Sequence, residues 1–251
     1  MKARIKFRKY GCLRFIGHLD VMRYFQKVMR RGEIPIAFTG GYSPHMIMSF
    51  AQPLGVGVTS DGEYFDIELT KPISSKRAVA QMNEVMAEGI EVVSFVEIPD
   101  DKKQSGMTIT KAADYQVTLL ESVKSSGYVR KVPEIFKEKA VRFLSQEKIM
   151  VLKATKKSEK EVDIKPMIYD MRVSDESIYL FLAAGSENNL KPDLVMSAFL
   201  DFMGEDKSKN PMHFHRIDVY ADAPKGFVDP KETDARKKGF VTLESLGREI
   251  I

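Results

Sequence analysis

Residues that could do chemistry crowd the first fifty positions. They are Leu13-Arg14-Phe15-Ile16-Gly17-His18-Leu19-Asp20, then Gly40-Gly41-Tyr42-Ser43-Pro44-His45, then Ser49-Phe50. His18 stands where a helix is expected to begin, and free helical N–H groups there can receive an anion. A histidine titrates near neutrality, so His18 and His45 are candidate general acids or bases. Arg14 or Arg23 is the candidate to stabilise developing negative charge. The alternative for His18 is a hydrogen bond to a backbone carbonyl at the helix start; for His45 it is a place in a surface loop. His18 and Asp20 are two apart and do not face each other along a regular helix. Gly40 and Gly41 permit close backbone approach, but no Gly-Lys-Ser/Thr follows, so the loop is not a Walker loop. Glu63 and Asp66 lie three apart on an expected strand and point to opposite faces, against a paired acid/base role. His213 and His215 share a strand face and supply two metal ligands without a third. No metal site and no cofactor is expected. Cys12, the single cysteine, excludes an internal disulfide, a multi-cysteine zinc site and a self-contained iron–sulfur cluster. It reads as a small packing residue beside a turn.

Charge is unevenly spread over the 251 residues, whose net charge is +4. Residues 1–31 hold ten basic side chains and the lone acid Asp20, a balance of +9 against −5 for the rest. Lys2, Arg4, Lys6 and Arg8 alternate with Ala3, Ile5 and Phe7, so a strand here sets four cations on one face. Arg23, Lys27, Arg30 and Arg31 follow at helical spacing. Such a concentration points to a polyanion, and nucleic-acid phosphate leads because clustered cations release its condensed counterions.

The elements expected to position these residues run in the order β-α-β-β-α-β, twice. Strands are expected at 2–9, 35–39, 62–69 and 90–97. Helices are expected at 18–31, with Met22, Phe25, Val28 and Met29 inward, and from Ser74 or Ser75 to about Ala87. The second set comprises a strand at 114–121, a helix from Pro133 to about Gln146, extended pieces at 149–155 and 161–173, a strand at 177–183, a helix from Pro192 to about Met203 and a strand at 213–220. The fold class is α+β: two tandem ferredoxin-like domains with antiparallel sheets. Residues 1–98 form the basic N-terminal domain, 99–113 a linker, 114–220 the C-terminal domain and 221–251 a loosely packed extension. No apolar run reaches the roughly 20 residues that span a bilayer, and the basic N-terminus lacks a signal-peptide core. A cytoplasmic protein with no membrane partner is expected.

The run from Ile5 to Leu69 resembles the radical-SAM-linked uncharacterised bacterial family, a domain of unknown function. The resemblance rests on the basic strand, the Leu13–Asp20 segment, Arg30-Arg31, Gly41-Tyr42-Ser43-Pro44-His45, Ser49-Phe50, Pro53-Leu54, Gly57, and the acids Glu63 and Asp66. Val162-Asp163-Ile164-Lys165-Pro166 extends it into the second half. The chain departs at Met46-Ile47, where relatives commonly have Pro and then a cation. The resemblance implies a radical SAM enzyme as partner, and no known reaction. The chain cannot itself be that enzyme, because one cysteine does not hold such a cluster. The tandem architecture is also similar to that of CRISPR RNA-processing proteins.

The expected function is that of a radical SAM-associated accessory protein, RNA-binding or substrate-presenting and non-catalytic. Lys2, Arg4, Lys6, Arg8, Arg14, Arg23, Lys27, Arg30 and Arg31 would take phosphates, and Tyr42 and Phe50 would stack on bases. The alternatives are a metal-independent RNA-processing enzyme using His18, or a pure protein-interaction module. The oligomeric state is left open.

Overall fold

The computed structural model describes residues 1–122, 128–154, 159–227 and 234–251. Residue 155 of an expected extended piece, and 228–233 of the expected extension, lie outside them. In chain order the elements are β1 (Lys2–Lys9), α1 (His18–Arg31), β2 (Met48–Ala51), β3 (Thr59–Glu68), α2 (Ser75–Glu84), β4 (Ile90–Ile98), α3 (Gly106–Ile109), β5 (Thr110–Leu120) and β6 (Val129–Arg130). There follow α4 (Ile135–Ser145), β7 (Met150–Ala154), β8 (Glu159–Asp163), β9 (Ile168–Val173), β10 (Ile178–Ala183), α5 (Pro192–Met203), β11 (Met212–Asp222), β12 (Phe240–Thr242) and β13 (Arg248–Glu249). Among the described residues this is a mixed α+β fold with five α-helices, a large mixed sheet of 11 strands and a separate hairpin, β7–β8. The expectation of purely antiparallel sheets is corrected, since the large sheet includes parallel pairing. Sheet neighbours far apart in sequence are joined by long crossovers and are not bound to hairpin geometry.

The chain divides into two compact units, Met1–Ala112 with Arg216–Ile251, and Ala113–His215. The expected linker 99–113 falls almost entirely in the first unit. So does the expected extension 221–251: β12 pairs with β11 and β13 with β4. It is therefore part of the folded body, and Val241 and Leu243 are buried.

In the first unit the strand order is β13-β4-β1-β3, and β3's far edge is shared. β2 pairs with Tyr64–Ile67, and β11 passes Gly62 so closely that an added Cβ would meet the Asp218 Cα at 2.7 Å. One sheet face presents Ala3, Ile5, Phe7, Phe65, Ile67 and Phe95 to Val21, Phe25, Val28 and Met29 of α1 and to Ala78 and Met82 of α2. The helical period selects these residues, with Val21 buried where Met22 was expected and Met22 half-buried. α1 stops at Gly32, where a side chain would strike the Gln81 carbonyl at 2.8 Å. The Ser74 hydroxyl caps α2 by accepting from the Arg77 N–H. The expected strand 35–39 is only two isolated bridges, Ile36 with Leu69 and Phe38 with Met46; Pro35 and the Gly40-Gly41 pair interrupt a longer ladder.

The second unit orders its strands β5-β10-β9, with β6 paired to β5. Phe136 and Phe143 of α4 meet Phe199 of α5 at 5.6 and 5.4 Å between ring centroids. These rings, with Val195 and the β10 residues Ile178, Leu180 and Leu182, form its core.

Candidate functional site

β1 lies in the middle of its sheet, and that decides the fate of its cations. The apolar face is covered by helices, as the alternation requires. The cationic face is covered as well, by the 3₁₀ turns at Lys102–Gln104 and Leu243–Leu246. Arg4 is 1% exposed, and its Nε and Nη2 donate to the two Asp66 carboxylate oxygens at 2.8 and 3.0 Å. It also donates to the Gln104 and Leu243 carbonyls. Lys6 donates to Asp218 at 2.6 Å and Glu244 at 2.9 Å. Burial alone would lower the Lys6 pKa, but the two carboxylates carry it above its usual value. The Tyr64 hydroxyl donates to the other Asp218 oxygen at 2.6 Å. Arg4 and Lys6 are thus structural cations, and their expected role at an exposed nucleic-acid surface is corrected: both are desolvated and fully engaged. Lys2 pairs with Asp100 at 2.7 Å, and the half-exposed Arg8 with Asp61 at 2.7 Å and Glu91 at 3.7 Å.

Lys9 is a residue that sequence reasoning counted but did not single out. It is 2% exposed, its Nζ donates to the Ile16 carbonyl at 3.3 Å, and burial lowers its pKa against the pull of Glu63. Glu63 itself is held by the buried Arg216, whose Nε donates at 2.8 Å and whose Nη2 also donates to the Gln52 carbonyl. The contacts bind the end of β1 to the turn before α1. Burying that ammonium takes a covering turn and an acid 54 positions further along the sequence, and neither is visible in the local pattern.

The two candidate histidines have separate partners. His18 opens α1 half-buried, edge-on to Phe50 with centroids 5.2 Å apart. His45 is exposed; its Nδ1 lies 3.1 Å from the Thr39 hydroxyl, which also accepts the His45 backbone N–H. The two are not hydrogen-bonded to each other. Phe50, partly buried, stacks on Phe65 at 4.9 Å and meets Phe7 and Phe25, so its ring packs against the core cluster. Tyr42 is fully exposed. Cys12, expected to pack, is exposed in the 3₁₀ turn Gly11–Phe15, which Gly11 enters with φ +56°.

What remains at the surface is the outer face of α1. Arg23, Lys27, Arg30 and Arg31 are all exposed. Among the described residues the one ion pair in this set joins Arg23 to Asp20, at 3.5 Å and open to solvent, where screening leaves it little strength. Arg14 sits at the same end of α1 as His18, its guanidinium 4.6 Å from the Phe15 ring centre. Its carbonyl accepts the Gly57 N–H at 2.8 Å. Among the described residues no group of three or more His, Cys, Asp or Glu side chains is placed to hold a metal ion. Nor is any helix there long and apolar enough to cross a membrane.

No curated protein matches the chain. A family model described as an uncharacterized protein conserved in bacteria (DUF2344) matches residues 2–192, and the chain belongs to that family.

Proposed function

We propose that this protein binds RNA through the exposed face of α1 and works as a non-catalytic accessory to a radical SAM enzyme. The observation that carries the reading is the set Arg23, Lys27, Arg30 and Arg31, displayed on one rigid helix and, Arg23 apart, free of ion pairs among the described residues. A row of cations held at helical spacing gains from counterion release on meeting a phosphate backbone. Tyr42, exposed, adds a ring for an unpaired base. The radical SAM partner rests on the sequence resemblance alone. Two tandem ferredoxin-like folds are the finer architectural reading. The orders β4-β1-β3-β2 and β11-β5-β10-β9, with α1 and α2 in the first unit and α4 and α5 in the second, support it.

The test is incubation of the full chain with a labelled structured RNA at low salt, with binding and strand integrity followed together. Retention of intact RNA is expected. Cleavage by the wild-type chain that disappears in His18→Ala would overturn the non-catalytic reading.

A further inference from the structure

We propose that Phe15, with Arg14 lying against it, is the platform on which one unpaired base of a single-stranded RNA stacks. The inference rests on the polyanion reading above and names the base contact within it. Phe15 is 59% exposed, so the fold leaves uncovered a large aromatic that burial would favour. Phe7, Phe25, Phe50 and Phe65 cluster in the same unit, and the Phe15 ring has no ring contact with them. Phe15 has no ring partner among the described residues other than the Arg14 guanidinium. Aromatic rings and guanidinium planes are the two side-chain surfaces on which splayed bases stack.

The platform is held rigid. It closes the 3₁₀ turn Gly11–Phe15, whose Leu13 packs against the core and whose Arg14 carbonyl is tied to Gly57. It also stands at the head of a charged track. Leu19, 60% exposed, begins a stripe along α1 that continues through Arg23, Lys27 and Arg30 at helical spacing. Phosphates along that stripe would deliver the next base to the turn. A strand with its bases splayed satisfies both halves of this surface, the apolar end and the cationic row. A duplex presents phosphates but no free base face.

The experiment compares two probes of about ten residues, an unstructured RNA and an abasic strand of equal charge. Binding is measured to the wild-type chain and to Phe15→Ala and Phe15→Tyr. Phe15→Ala is expected to weaken the RNA about tenfold, in line with the loss of one stack. The abasic strand should be unaffected, and Phe15→Tyr should retain affinity for both. Thermal melting should match the wild type, because the ring is not part of the core. Unchanged RNA affinity in Phe15→Ala, or equal weakening of both probes, would overturn the base platform while leaving the polyanion reading standing. Failure of the wild type to bind either probe at low salt would instead sink that underlying reading.

Discussion

Lys9 shows how a single side chain can be costly to a fold. Its ammonium is covered, has one hydrogen bond, and is drawn below its usual pKa by burial. A lysine whose folded pKa is lowered sheds its proton earlier in the folded than in the unfolded state. Between that pKa and the ordinary value of 10.5, the unfolded chain holds more protons, so stability rises with pH. The rise is at most about 1.4 kcal/mol per pH unit. Tyr64 has the opposite effect, its raised pKa costing stability only as pH climbs beyond 10.0. Urea unfolding followed as pH approaches 10.0 from below, under both ordinary values, should therefore show the wild type gaining stability. Lys9→Met should be flat over this window and equal to, or about 1 kcal/mol above, the wild type at its lower end. An unchanged slope in Lys9→Met would show that the ammonium is not the source.

The buried cations also explain what could be read locally. Alternation along residues 2–9 predicted the strand and its two faces, because period two is a property of neighbouring residues. It could not predict that the charged face is sealed. Asp66 comes 62 positions after Arg4, and Glu244 comes 238 after Lys6. Only the sheet order brings them together.

Among elements, the helices were the most legible. α1 and α5 occupy the expected ranges because Gly32 and Gly204 end them and because Phe25, Val28 and Met29 fall at the helical period. The C-terminal segment was illegible for the opposite reason. β12 and β13 have only 3 and 2 residues, too few to establish a period, and they hold their place by pairing with β11 and β4. The close approach of β11 to β3 is a point of weakness. Gly62→Ala would push a methyl group into the Asp218 backbone, and overpacking of this kind costs about 1–3 kcal/mol. Gly40→Ala has open space around it and no positive φ, so it should be neutral. Urea midpoints compare the two; equal midpoints would show that β11 does not press on β3 as the geometry requires.

For the molecule as a whole, the functional account depends on which cations solvent can reach. The candidate site was legible in part. Arg23, Lys27, Arg30 and Arg31 were visible as a charged helix face, and the fold leaves them exposed. Arg4 and Lys6 were drawn into the interior by partners distant in sequence, Phe50 lies partly buried against the core cluster, and Phe15 was quoted in a motif without being given a role.

The most direct measurement is RNA affinity against salt for the wild type, for Lys27→Glu with Arg30→Glu, and for Lys102→Glu with Lys103→Glu, an exposed pair outside the α1 face. The wild-type log K should fall linearly with log salt. The α1 double variant should lose at least about 1.4 from that slope, at roughly 0.7 per single-strand phosphate contact. The Lys102/Lys103 variant should keep the wild-type slope. Salt-independent binding, or an equal loss of slope in both double variants, would contradict the assignment of α1 as the RNA-binding face.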